Sequence, residues 1–338
     1  MQSRGHKLLF TCRDKEFELY LLEEYEFDFI NFGKKYKSTI GKLFGMLIFD
    51  FKEIRAALKF KPDFFISHGS IYAAHTAFLL GKPHISLEDT FNMEQIRLYA
   101  PFTKAILTAD YNHPLKTKKV IKYAGYHELA YLHPKRFSPD ISVLSQLGVT
   151  RNEKYVIMRF VSWNASHDIG HKGISIDNKF KAIEEFEKYA KIFISSESEL
   201  PKELEKYKIK LEPHKIHDAL AFASLLWGES FTMPAECSVL GTPSIINHNT
   251  KSYYLHEQES QYGLCFNFSE SEEDQQKAIK KGVELLRTEG IKEEWQKKRD
   301  IMLKDKIDVT VFLTWFIENY PASVRILKEN PDYQYRFK

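Results

Sequence analysis

The residues best placed to do chemistry lie in one stretch, Gly228-Glu229-Ser230-Phe231-Thr232-Met233-Pro234-Ala235-Glu236-Cys237-Ser238-Val239-Leu240-Gly241-Thr242-Pro243. An apolar run, 219–227, precedes it, and Ser244-Ile245-Ile246 follows. In order this reads as a strand, a tight polar turn, a short helix with a small-residue face, and another strand. Ser230 and Thr232 put hydroxyls where the helix begins, and Pro234, which lacks an N–H, suits the first turn. Free amides at that turn, with the helix dipole, make a site for an anion such as phosphate. Glu236 lies one turn further in, where a carboxylate can accept hydrogen bonds from a ribose diol. Gly228, Ser230, Thr232 and Glu236 therefore form a candidate site for a nucleoside diphosphate. The same spacing also fits an ordinary βα turn whose Ser and Thr only cap a helix.

The elements around this stretch alternate. In the N-terminal half, strands are expected at 7–12, 27–32, 63–67, 84–87 and 105–109, with helices at 17–24, 40–60 and 71–80. A Pro- and Ser-rich segment, 131–149, reads as a link. Beyond it, strands are expected at 155–160, 191–194, 209–211 and 225–227, and helices at 179–189, 217–223, 272–286, 293–304 and 309–319. Strands alternating with helices imply βαβ units and parallel sheets. The expected fold class is α/β, with two Rossmann-like parallel-sheet domains facing a cleft. Their expected bounds are 1–140 and 150–308, followed by a helix and tail, 309–338, returning toward the first domain. The chain opens on Gly5-His6-Lys7, which reads as the lead-in to a second strand, so the first domain is expected to lack its first strand and helix. Open α/β sheets bind ligands beyond the C-terminal ends of their strands. The turns at 67–70, 87–90, 160–173 and 228–236 all fall there.

Composition narrows the function classes. The 338 residues suffice for two domains, and no run of about 18 apolar residues exists to span a membrane. There is no signal-peptide pattern at the N-terminus. Three widely spaced cysteines, Cys12, Cys237 and Cys265, form neither a disulfide framework nor a zinc knuckle, and no His/Cys/Asp cluster has metal spacing. A cytoplasmic location is expected. The net charge of +3 gives no argument for nucleic acid. The 26 Phe and 18 Tyr read as bulky core. Lys34-Lys35-Tyr36-Lys37 with 44–51 reads either as a basic, apolar surface in peripheral contact with a membrane's inner face or as a sheet-packed helix with a solvated lysine edge.

At these residues the chain resembles the DUF354 family, uncharacterised prokaryotic proteins with a two-domain GT-B glycosyltransferase-like fold. The resemblance rests on Thr11-Cys12-Arg13-Asp14, Lys61-Pro62-Asp63, Gly69-Ser70-Ile71-Tyr72-Ala73-Ala74, Glu88-Asp89-Thr90, and the run from Gly125-Tyr126-His127-Glu128 to His133-Pro134. It continues through Arg159-Phe160-Val161-Ser162-Trp163-Asn164-Ala165-Ser166-His167-Asp168 and the stretch from Gly228 to Pro243. It covers nearly the whole chain, about 5–320. Family members usually carry a first strand and a glycine-containing loop before the Gly-His that opens this chain.

The resemblance implies a nucleotide-sugar-dependent glycosyltransferase in surface polysaccharide or glycolipid synthesis. It would take a UDP-sugar as substrate and a glycan or lipid-linked acceptor, with no cofactor and no metal. The donor would lie against the second domain, with Ser230 and Thr232 on its phosphates and Glu236 on its ribose. Arg159 would counter the charge of a departing phosphate. His167, beside Asp168, would be a general base or a phosphate contact; the plainer reading is that the two cap a turn. Trp163 and His127 would line the cleft. Asp89 and Glu128 are the candidate bases for the acceptor hydroxyl, with an N-cap and a lysine pair as their plain alternatives. Arg13 with Asp14 reads as a structural ion pair. Gly69 and Ser70, after His68, resemble a second helix N-terminus able to hold an anion. A nucleotide-sugar 2-epimerase-like enzyme and a non-catalytic nucleotide or glycan binder are the alternatives.

Overall fold

The structure of the chain, a computed structural model, describes residues 1–338 except 16, 35, 37, 38, 162–172 and 251. It divides into two compact units, Met1–Gly125 with Val311–Phe337, and Tyr126–Thr310 with the terminal Lys338.

In the first unit, β1 (Phe10–Cys12), α1 (Glu18–Glu24) and β2 (Phe29–Asn31) form a βαβ element whose two strands run parallel, with Thr11 opposite Ile30. The long helix α2 (Thr39–Phe60) follows. Next come β3 (Phe65–His68), α3 (Ile71–Leu79), β4 (His84–Leu87), α4 (Met93–Tyr99), β5 (Ala105–Ala109) and β6 (Val120–Tyr123). Their strands make a parallel sheet in the order β3-β4-β5-β6, which shares no ladder with the β1–β2 pair. Every residue of β5 is buried, as a continuous apolar run in a parallel sheet requires. Small residues let α2 and α3 close on one another: Ala57, Ala73 and Ala77 pack with Phe65 in one buried cluster. His84 is fully buried and bonded on both ring nitrogens, Nε2 2.9 Å from Ser67 Oγ and Nδ1 2.8 Å from Thr103 Oγ1. Burial pushes its pKa down to about 4, so it is a neutral core residue.

The second unit begins with the short helices α5 (Leu129–Leu132) and α6 (Ser142–Gln146). The segment 131–149 is therefore not a free link. Val143, Leu144 and Leu147 are buried, and Asp140 N donates to Asp218 Oδ1 at 2.8 Å. Then follow β7 (Tyr155–Phe160), α7 (Ile176–Glu187), β8 (Lys191–Ser196), α8 (Ile216–Phe222), β9 (Leu225–Gly228), α9 (Thr232–Leu240) and β10 (Ser244–Asn247). The unit continues with α10 (Tyr253–Tyr262), β11 (Cys265–Phe268), α11 (Glu272–Arg287) and α12 (Ile291–Asp305). The strand expected at 209–211 does not form; a single bridge, Ile194 with Lys208, touches β8 there.

Five parallel strands lie in the order β11-β10-β9-β7-β8. From β7 the chain goes to β8 on one side and then crosses to β9 on the other. The strand order therefore reverses between β7 and β9, and the crevice beyond their C-terminal ends is where doubly wound sheets hold ligands. Trp227, fully buried on β9, meets Phe160 and Phe186 edge-on at 6.3 and 5.9 Å between centroids. Each such pair adds about 0.5–1.5 kcal/mol beyond its buried area. α13 (Val309–Glu318) and α14 (Ala322–Glu329) complete the chain, largely within the first unit. No helix among the described residues is long and apolar enough to cross a membrane.

Candidate functional site

The register at the switch point sets Arg159 of β7 opposite Gly228 of β9 on one side and Ser195 of β8 on the other. Gly228 is required by this packing. A Cβ there would stand 2.2 Å from the Arg159 carbonyl oxygen. The chain then leaves the sheet through Glu229, whose amide donates to that same carbonyl at 3.1 Å. Ser230 is half-buried and Thr232 exposed at the start of α9.

Among the described residues the N-terminus of α9 has no side-chain cap: Phe231 occupies the N-cap in an αR conformation, and no capping bond from Ser230 or Thr232 is made there. The plain reading of these hydroxyls, as caps, has no hydrogen bond behind it among the described residues. Thr232 and Met233 carry first-turn amides, and Pro234, in the third helical position, carries none. Residues 233–240 are all buried. The helix axis is accordingly fixed by packing, with its positive end presented at the strand ends.

Glu236, one turn in, is only 6 % exposed. Its Oε1 accepts from Tyr131 Oη at 3.0 Å and stands 2.9 Å from His217 Nε2. Since a carboxylate only accepts, Nε2 carries the proton in this bond. The His217 ring is flanked by Tyr131 and Phe137, with centroids 5.6 and 6.2 Å away. One oxygen of Glu236 is thus committed inside the unit, which holds the carboxylate in place.

Arg159 reaches across β8. It donates from Nη1 to Ser195 Oγ at 2.9 Å and from Nη2 to Glu197 Oε1 at 2.5 Å. Its Nε is buried without a hydrogen-bond partner among the described residues. Glu197 already balances the guanidinium charge, so Arg159 offers a donor direction more than a net charge.

Glu229 has a role that its neighbours in the sequence do not announce. Its side chain is completely buried. Oε2 accepts from Val161 N at 3.0 Å, Oε1 accepts from Ile174 N at 2.6 Å, and Lys179 Nζ lies 3.1 Å from Oε1. Lys179 also sits over the Phe160 ring at 4.4 Å. One carboxylate therefore ties together β9, the end of β7 and the start of α7. The signal in the sequence is a charged residue placed directly after an apolar strand, at the point where the chain must leave the sheet. Trp163, His167 and Asp168 lie outside the described residues.

His127 and Glu128 belong to the second unit with the residues above, not to the first. Glu128 is 5 % exposed and precedes α5, whose N-terminus its side chain does not cap.

In the first unit, adjacent strand ends bring His68 and Asp89 together, with Nε2 2.9 Å from Oδ1. Asp89 is not a helix cap; Asn92 caps α4. Its neighbour Glu88 is consumed structurally, accepting from Thr90 N, Thr90 Oγ1, Phe91 N and, at 2.6 Å, Tyr99 Oη. Burial and the Glu88 charge push the Tyr99 phenol up. Ser70 caps α3 from within, its Oγ accepting from Ala73 N at 3.3 Å. Gly69, at φ +67°, donates to Ser86 Oγ at 3.1 Å and accepts from Gln95 Nε2 at 2.6 Å. These bonds engage the Ser70 hydroxyl and the Gly69 backbone within the unit. Arg13 and Asp14 do not form an ion pair. The Asp14 amide is bonded to Gly33 O, and its carboxylate lies 3.9 Å from Lys34 Nζ.

Among curated proteins no sequence matches the chain. Solved structures do. The spinosyn forosaminyltransferase SpnP aligns with a TM-score of 0.61 at 12% identity, over 93% of this chain and 91% of that one. UDP-GlcNAc 2-epimerase from Neisseria meningitidis, bound to UDP-GlcNAc, aligns with a TM-score of 0.53 at 14% identity, over 89% and 93%. The glycosyltransferase VinC, in complex with dTDP, aligns with a TM-score of 0.59 at 9% identity, over 94% and 93%. At such identities the likeness is one of fold, and that fold is the GT-B type built from Rossmann-like parallel sheets. A family model described as a protein of unknown function, DUF354, matches residues 1–308, and the chain belongs to that family.

Proposed function

We propose that this chain is a nucleotide-sugar-dependent glycosyltransferase whose second unit binds the donor. The observation that carries this reading is the uncapped N-terminus of α9 at the point where the strand order reverses. The amides of Thr232 and Met233, with the dipole of a buried helix, supply donors to a diphosphate without a metal or cofactor. Ser230 and Thr232 add hydroxyls beside them. Glu236, braced by His217 and Tyr131, takes the ribose diol on its remaining acceptor capacity. Arg159, whose buried Nε has no hydrogen-bond partner among the described residues, is the proposed donor to the departing phosphate. Asp89, with His68 against it, and Glu128 are the proposed bases for an acceptor hydroxyl. The acceptor is a glycan or a lipid-linked sugar in surface polysaccharide or glycolipid assembly. The protein works in the cytoplasm on a UDP-sugar.

Calorimetric titration with UDP, dTDP, GDP and UDP-GlcNAc tests the donor site. Binding of a nucleoside diphosphate that is weakened in Glu236→Ala supports it. Identical affinities in the two proteins remove the ribose assignment, and no binding of any nucleotide removes the reading. The 2-epimerase alternative is favoured by the likeness to an epimerase structure over nearly the same share of the chain as the transferases. Epimerised sugar with free UDP, formed from UDP-GlcNAc without acceptor, would decide for it.

A further inference from the structure

The outward face of α2 has the wrong polarity for a helix in water. Phe44, Leu47, Ile48, Phe51 and Leu58 are 62, 60, 40, 67 and 59% exposed. Their spacing puts them on one side of the helix, since positions three, four and seven apart share a face. Arg55 falls on the same side and Lys59 flanks it, both exposed, whereas the Lys52 ammonium turns inward and donates to Phe32 O at 2.5 Å. The acids of this helix point the other way. Glu53 is 5 % exposed, and Asp50 is turned onto His75 with Oδ2 3.1 Å from Nδ1. The outer face thus combines large apolar side chains with cations and exposes no carboxylate of its own. The inner face keeps Phe49 and Ala56 packed with Phe32, so the orientation of the helix is fixed by its core contacts.

We infer that α2 is a docking surface for an anionic lipid bilayer, lying in the plane of the interface with its apolar side chains inserted. An interfacial helix is recognised by an apolar face bordered by Lys and Arg, and each cation near an anionic leaflet adds attraction that salt removes. A second copy of the chain fits less well. A two-fold contact would set the same cations of both copies against one another with no exposed acid of the helix to answer them. The inference stands apart from the nucleotide reading, because none of these residues lies in the second unit.

The test uses the full chain and sedimentation with vesicles of phosphatidylcholine mixed with phosphatidylglycerol, against phosphatidylcholine alone. Binding is expected to the mixed vesicles and to fall with added salt. Leu47→Ser combined with Phe51→Ser, and Arg55→Glu combined with Lys59→Glu, should each reduce it about tenfold or more. All four positions are exposed, so unchanged circular dichroism and melting are expected in both variants. Absence of binding by the wild-type chain, or equal binding to neutral vesicles, overturns the inference. So does a concentration-dependent dimer in sedimentation velocity that the serine variant dissolves, since the face would then belong to a second copy.

Discussion

Replacing Glu229 is the most exacting test of how the second unit holds its site. In Glu229→Ala the amides of Val161 and Ile174 lose the acceptor they share, and Lys179 keeps a charge, 16% exposed, with no counterion on Glu229. Each orphaned buried donor costs about 1–3 kcal/mol. Stranding one partner of a buried ion pair costs about 3–5 kcal/mol. These terms overlap, because water entering the space left by the side chain relieves part of each. A net loss of about 3–5 kcal/mol follows, which at roughly 2–4 °C per kcal/mol for a unit of this size lowers the melting temperature by about 6–20 °C. Glu229→Gln should fall between, because one oxygen can still accept while the amide group faces a second donor. Glu229→Met combined with Lys179→Met should recover the share due to the stranded ammonium. Thermal and urea unfolding measure all of these. If Glu229→Ala unfolds within about 1 kcal/mol of wild type, the carboxylate is not the tie that joins β7, β9 and α7.

Three further outcomes are expected. Gly228→Ala places a Cβ against the Arg159 carbonyl, and overpacking of this kind costs about 1–3 kcal/mol or more, read by urea unfolding. Glu236→Ala should weaken nucleoside diphosphate binding by about 1–3 kcal/mol in calorimetry, while His217→Ala, which leaves the Tyr131 bond in place, should weaken it less. The pH dependence has two opposed parts. Burial raises Glu53 to about 7, so the folded state binds the extra proton and this residue's contribution to stability declines as pH rises from about 4.5 to 7. His84, lowered to about 4, contributes in the other sense: its share is complete above about 6.5 and is lost as pH falls toward 4. Glu53→Gln removes the first part alone. It should raise stability at pH 8 by roughly 2–3 kcal/mol and make the loss between pH 7 and 5 steeper than in wild type, as followed by urea unfolding at each pH.

Much of the fold was legible because its strands are short apolar runs between turn residues. β5, β7, β9 and β10 are buried along almost their whole length and stand out for that reason. β6 and β11 do not, since Lys122 and Asn267 interrupt them and only the ladder partners on one side supply the missing signal. The segment 209–211 fails for the opposite reason: Ile209 and Leu211 alternate with a lysine as a strand would, but the contact with β8 is one bridge at the preceding Lys208 and the Ile209 amide on Ile194 O. The ends of α2 were readable to within one residue, but α7 starts three residues before its expected first residue, because Ser175, which the sequence reading passed over, caps it. The site was legible as a location and not as a mechanism. Gly228, Ser230 and Thr232 fall at the C-terminal end of a strand, which follows from element order alone; that the strand order reverses there does not. Which carboxylates are already engaged does not follow from element order. Glu88, Glu229 and Glu236 look equally available in the sequence, and only tertiary packing brings Tyr99, Lys179 and His217 to them.

That distribution of partners decides what kind of anion site the proposed reading requires. The side-chain charges near the strand ends are largely answered in place: Arg159 by Glu197, and Glu229 by Lys179. Neither pair leaves a net charge to draw a phosphate from a distance. The attraction that remains comes from oriented amides at the start of α9, which act over the first turn and do not reorganise when the ligand arrives. A site built this way gains from a ligand whose negative charge changes during reaction. The dipole stabilises a leaving diphosphate more strongly than the same group esterified to a sugar, because the charge it faces has increased. The balanced pairs around it then serve to hold that backbone still, and so Glu229, which touches no ligand in this reading, is the residue on which the geometry of the helix start depends.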